Sequence, residues 1–221
     1  MLTLYRSNRA EFLAAVLARQ LLEDRPGPFD TVEVLVNTWP TSRWLGEQLA
    51  VANGISSLVR FPFPGSRLRQ LVRQVLDLPE REDDPWRATT LVWSVLELLP
   101  HLLDQPQAAP LRDWLNRREP GRTGLTRDRW QLARAIADAL DDYALYRPEV
   151  LRSWLVAPET TLEDWQPLLV QQLAERLPRQ PFGLQVHQAV DRLRSGQVDP
   201  STLPPVLRLF GISALAPVQV E

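Results

Sequence analysis

The spacing of apolar residues changes twice along the chain. Val32, Val34, Leu35 and Val36 form a short β-branched run that ends at the polar Asn37 and Thr38, which predicts a strand. Pro40 then stands where a helix tolerates a missing N–H. Leu45, Leu49 and Ala52 follow at helical spacing until Asn53-Gly54, a stop signal. A second apolar run, from Leu58 to Phe63, breaks at Pro62, Pro64 and Gly65. Residues 31–66 therefore predict strand, helix, strand. The exposed chemistry falls at the carboxyl end of the first strand, the edge where open α/β sheets bind ligands.

Before this stretch, 2–5 predicts a strand, Ser7-Asn8 a cap, and 11–22 a helix with Phe12, Ala15, Val16, Arg19 and Leu22 on its apolar face. Through Arg25-Pro26-Gly27-Pro28 the opening becomes βαβα with a parallel crossover. After it, Ser66 is expected to cap a helix that buries Leu68, Leu71, Val72 and Val75 and turns Arg67, Arg69 and Arg73 outward as a modest anion-binding face.

From about 78 to 196 only helical spacing remains. Asp84-Pro85 opens a helix through Trp86, Leu91, Val92, Val95, Leu98 and Leu99. A helix over 127–146 packs Trp130, Ala133, Ile136, Ala137 and Leu140 inward. Others open at Pro148 and at Thr160-Thr161, and a last one carries Leu184, Val186, Val190 and Leu193. Asn116 to Arg129 reads as a charged loop. Its Gly121-Arg-Thr-Gly124 has the spacing of a KH-domain loop, but no matching strand pattern surrounds it, so a turn is expected. Strand spacing returns at 206–212. The expected organisation is a first part of an α/β domain at 1–78, a helical insertion at 79–196, and a return to the sheet at 197–221 that is cut short.

Composition narrows the chemistry. All 25 basic residues are arginine, so neither a P-loop lysine nor a Schiff-base amine can be built. There is no cysteine, and the two histidines, His101 and His187, fall on different predicted helices; no thiolate, His-based metal or His-Asp relay site is supported. A net charge of -2 gives no global pull on nucleic acid or anionic lipid. Nor does any apolar run approach membrane-spanning length. Asp138, Asp141 and Asp142 share a helix face and have the chemistry to hold Mg²⁺, but Arg134 and Arg147 flank them, so a salt-bridged surface is the favoured reading. No cofactor, metal or catalytic residue is expected.

Taken together, LYRSNR, VLVNTWPTSRWL, FPFPGS, WSVLELLPHL, DDYALYRP and LFGISALAP make the chain resemble the amino-terminal part of the RecC family, the gamma subunits of bacterial RecBCD exonucleases (exodeoxyribonuclease V). The resemblance covers essentially all 221 residues, about the first fifth of such a subunit. It implies an α/β parallel-sheet domain like a superfamily 1 helicase motor, inactive, with a large all-helical insertion. An active motor carries GxGKT after its first strand; this chain has Arg6-Ser7-Asn8-Arg9-Ala10. In place of the acidic Walker B pair stands Phe210-Gly211-Ile212-Ser213.

The resemblance further implies a cytoplasmic, non-catalytic DNA-channel, Chi-recognition and scaffold subunit, with RecB-like and RecD-like partners, acting in double-strand break repair by homologous recombination. The family's reading face for the 3′-ended single strand maps onto Asn37, Trp39, Arg43, Phe63, Arg69, Asp138, Asp141 and Arg147. Asp138, Asp141 and Arg147 match by type. Asn37 keeps an amide where the best-known members have glutamine, and Trp39, Arg43 and Arg69 depart, so the same hotspot sequence is not implied. Ionised carboxylates accept hydrogen bonds from base edges while repelling phosphates, and Trp39 and Phe63 suit base stacking. The alternative is a structural domain whose helices at 85–103 and 160–177 dock partner subunits without touching DNA.

Overall fold

The β-branched run becomes the centre of a small parallel sheet in the computed structural model, which describes residues 2–24, 27, 29–79, 84–157 and 164–220. Strand β1 (Val32–Leu35) pairs in parallel with β2 (Val59–Arg60) on one side and with β3 (Arg208–Leu209) on the other. The Val36 N–H donates to Pro62 O at 3.2 Å and the Phe210 N–H to Leu35 O at 2.9 Å, carrying both ladders past β1. Helices α1 (Ala10–Asp24), α2 (Trp39–Asn53) and α3 (Pro64–Leu76) accompany the strands. Val34 and Val36 are fully buried and pack with Ala14, Leu17, Ala18 and Leu21 of α1, Leu45 and Leu49 of α2, and Phe210. Residues 1–74 and 198–215 form one compact unit.

Several sequence expectations fail in this unit. Residues 2–5 are not a strand, and Leu2, Leu4 and Tyr5 are exposed; apolar propensity makes a strand only where a neighbour accepts its hydrogen bonds. The apolar face of α1 is rotated: Ala14, Leu17, Ala18 and Leu21 are buried while Phe12, Val16 and Leu22 are exposed. Ala52 is exposed, and Ser42 takes a buried place on α2 through an Oγ bond of 2.7 Å to Trp39 O. Ser66 lies inside α3 and donates to Phe63 O rather than capping. Arg67 is not outside: its side chain is largely buried, with Nε 2.7 Å from Glu33 Oε2 of β1, an ion pair whose N–H does not point along the line to the oxygen. The strand expected over 206–212 shrinks to Arg208–Leu209.

The second compact unit comprises 75–197 with the residues from 216 onward. It holds α4 (Ala88–Asp104), α5 (Ala109–Arg118), α6 (Arg127–Tyr146), α7 (Pro148–Val156), α8 (Trp165–Arg176) and α9 (Phe182–Arg194), with no strand among its described residues. The periodic faces bury as their spacing predicts: Leu91, Val92, Val95, Leu98 and Leu99 of α4 meet Ala133, Ile136, Ala137 and Leu140 of α6 in one core. Trp86, 1% exposed, fills it from outside the helix and donates Nε1–H to Arg179 O at 2.6 Å. The charged loop is shorter than expected, because α5 runs to Arg118 and α6 starts at Arg127. The helix start expected at Thr160-Thr161 lies outside the described residues. Gly183 lets α9 approach α6 and α7, since a Cβ there would stand 2.3 Å from Ala144 O and 2.6 Å from Pro148 Cβ. The chain is thus mostly helical with a small three-stranded parallel sheet.

Candidate nucleic-acid interface

In the sheet unit the candidates gather where β1 and β2 give way to helices. Past β1, Thr38 is extended (φ -141°, ψ 151°) and its Oγ1 accepts the Thr41 N–H at 3.2 Å, capping α2. This fixes Trp39 as the first residue of α2, with 73% of its surface exposed. Past β2, Phe63 immediately precedes α3, and its carbonyl accepts the Arg67 N–H at 3.0 Å. The Trp39 and Phe63 rings meet edge to face, centroids 5.2 Å apart at 82°, a contact of about 0.5 to 1.5 kcal/mol that fixes the Trp39 ring while most of its surface stays in solvent. Asn37 is exposed beside them, its amide without an intramolecular hydrogen bond among the described residues. Arg43, one turn into α2, is exposed and only loosely paired with Glu47 at 3.4 Å. Arg69 is partly buried on α3.

At the opposite edge of the sheet, Glu33-Arg67 and Asp24-Arg208 ion pairs line a cleft of about 530 Å³ with Leu21 and Val206. Each guanidinium there already has a carboxylate. Glu33 inside an otherwise apolar run was the sequence signal that a buried cation had to face it.

In the helical unit the acidic candidates are occupied. Arg134 Nε reaches both carboxylate oxygens of Asp138 at 3.1 Å, an exposed pair four residues apart, worth about 0.3 to 0.5 kcal/mol. The flanking arginine thus pairs as its spacing suggests. Asp141 does something the sequence did not signal. Its Oδ2 accepts the Ala88 N–H at 3.1 Å, the first N–H of α4, with Arg87 Nε 3.8 Å away. Arg87 stands at the N-cap position and offers no capping oxygen, so Asp141 supplies the cap from another helix. Arg147 closes α6 by donating its N–H to Tyr143 O at 2.9 Å, and its exposed guanidinium lies 5.7 Å from the Tyr143 ring centre. Among the described residues no three His, Cys, Asp or Glu side chains gather as metal ligands would, and no helix is long and apolar enough to cross a membrane.

A small parallel sheet with an exposed tryptophan at the start of one of its helices, together with a second unit that is helical throughout its described residues, defines a mostly helical, α/β-like protein. Residues 2–221 match the family model described as RecC, N-terminal domain, and the chain belongs to that family. It is 32% identical over its whole length to the "RecBCD enzyme subunit RecC" of Mycolicibacterium smegmatis, covering 19% of that protein. To the proteins of the same description from Mycobacterium tuberculosis and Escherichia coli it is 30% and 29% identical, again over its whole length and 20% of theirs. The chain therefore spans about one fifth of the length of the relatives it matches.

Proposed function

We propose that this chain is the amino-terminal part of a non-catalytic subunit that guides a 3′-ended single DNA strand in a RecBCD-type exonuclease in the cytoplasm, with RecB-like and RecD-like partners. The sheet unit is read as a superfamily 1 motor domain that has lost its chemistry. In this reading the nucleotide-binding edge became a DNA-facing edge. The observation that carries it is the Trp39-Phe63 pair: an aromatic ring fixed by an edge-to-face partner, mostly exposed, at the carboxyl edge of a parallel sheet. That is where α/β folds bind ligands, and a fixed, mostly exposed aromatic ring is a stacking platform for an unpaired base. Asn37 offers a base-edge amide beside it, while Arg43 offers charge to the backbone.

On this reading Asn37, Trp39, Arg43, Phe63 and Arg69 make the sheet unit's contribution to recognition. Asp138, Asp141 and Arg147 make that of the helical unit. The contacts of Asp141 favour a supporting role for it, since a carboxylate holding the first N–H of α4 has less acceptor capacity for a base. Asp138 is paired too, but its exposed pair with Arg134 is weak enough for a base to displace, so Chi-like recognition would rest more on Asp138 and Arg147. Hotspot response and subunit assembly measured together on Asp138→Ala and Arg147→Ala, in the full complex, test this: loss of hotspot response with assembly intact supports it. Loss of assembly alone would favour the docking alternative.

A further inference from the structure

The α5–α6 connector carries a charge cluster that neither the fold nor the reading above uses. Asn116 to Arg129 contains five arginines against Glu119 and Asp128 in a chain whose overall charge is -2. The structure allots both acids. Glu119, 6% exposed, takes the Arg129 Nε at 3.1 Å, and Asp128 takes the Arg118 Nε at 3.2 Å. These pairs join the end of α5 to the start of α6, so the connector is closed at its base by two ion pairs, one of them buried. Its path is fixed further: the Arg122 N–H donates to Glu119 O at 3.2 Å, Arg129 donates to Arg122 O at 3.1 Å, and Thr126 Oγ1 accepts the Arg129 N–H to cap α6.

What remains is Arg117 in the last turn of α5, Arg122 in the loop and Arg127 at the start of α6, all exposed and none in an ion pair among the described residues. Arg117 and Arg127 are the sequence neighbours of the closing pair Arg118-Asp128, so the clamp brings the stretches of backbone that carry them together at the base of the loop. The main-chain groups of Arg122 itself are taken, but the two glycines beside it are open. Gly121 and Gly124 adopt left-handed φ of +71° and +82°, with nothing within 4 Å of where a Cβ would stand. A GxxG turn of this kind lets a phosphate approach the main chain, as in domains that clamp nucleotide backbones this way.

We infer that the α5–α6 connector binds the sugar-phosphate backbone of nucleic acid through Arg117, Arg122 and Arg127, without reading bases. Three unneutralised guanidiniums on a clamped, glycine-flanked loop fit phosphodiester oxygens, and the loop offers no aromatic platform of its own. This surface is separate from the Trp39 edge, so each fails or stands by its own variant.

The test is fluorescence anisotropy of a labelled oligothymidylate, and of a duplex of equal length, on the full-length chain across a salt titration. The triple variant Arg117→Ala/Arg122→Ala/Arg127→Ala is expected to bind single strands about tenfold more weakly at low salt. Its slope of log K against log salt should flatten by about two, at roughly 0.7 per lost phosphate contact, with a steeper loss if duplex is the ligand. The matching triple lysine variant keeps most of the slope. Unchanged affinity and slope in the alanine variant overturn the inference, as does unchanged DNA binding with weakened capture of a partner subunit, which would make the loop a face for an acidic protein. Trp39→Ala measured alongside separates the two surfaces. If it alone weakens binding, the aromatic edge survives and the loop does not; the converse result keeps the loop and removes the edge.

Discussion

The two compact units of this chain bury their apolar residues to different degrees. Among the described residues the helical unit assembles twenty-one buried side chains into one core, and the sheet unit nine. The sheet unit also leaves Leu2, Phe12, Leu22 and Leu207 in solvent. The helical unit is closed by long amphipathic helices that cover each other, whereas the sheet offers only two- and four-residue strands for its helices to cover. In the helical unit an exposed group is therefore best read by its charge and hydrogen bonds. In the sheet unit exposure alone discriminates little, and Trp39 stands apart from Leu22 by its capped helix start and its edge-to-face partner.

The largest effects that would break this contrast lie in the helical unit. Trp86→Ala should destabilise by about 3 to 5 kcal/mol, from lost burial and the stranded Arg179 carbonyl. Arg129→Ala should cost a similar amount, about 3 to 5 kcal/mol, because it leaves Glu119 buried and unpaired. Denaturant midpoints check both, and a change under about 1 kcal/mol in either would mean that this core is looser than its packing indicates. In the sheet unit, Leu17→Ala should cost about 2 to 5 kcal/mol, against less than about 0.5 kcal/mol for Phe12→Ala on the opposite face of α1. Equal losses would return α1 to the face its sequence spacing suggested. Gly183→Ala should destabilise by about 1 to 3 kcal/mol, since α9 has to move off the Ala144 carbonyl. Smallest and most diagnostic is the pair of aspartates on α6: Asp141→Ala should cost about 1 kcal/mol as a lost helix cap, and Asp138→Ala about 0.3 to 0.5 kcal/mol.

Legibility in the sequence followed how local the deciding interaction is. The faces of α4 and α6 were readable because polar residues interrupt them at helical spacing. Helix α1 was not, because Phe12, Leu13, Ala14, Ala15, Val16, Leu17 and Ala18 are continuously apolar, and only packing against Val34 and Val36 selects which of them is covered. The apolar run at 2–5 looked like a strand for want of any sign that no neighbour pairs with it. Among the site residues, the Arg134-Asp138 pair followed from its four-residue spacing. Asp141 did not follow, because its partner Ala88 is 53 residues away and acts through a main-chain N–H that no sequence pattern marks. The surplus of arginine between α5 and α6 was visible as composition, but which cations stay free depended on the Glu119 and Asp128 pairings.

The proposal that the carboxyl edge of the sheet holds an unpaired strand is tested most directly by the affinity of the Trp39→Ala chain for oligothymidylate, read beside its unfolding free energy. The account predicts a loss of about 1 to 3 kcal/mol in binding, with stability changed by no more than about 1.5 kcal/mol, the worth of the contact with Phe63, because the ring is otherwise mostly exposed. Unchanged binding with a well-folded protein would contradict it.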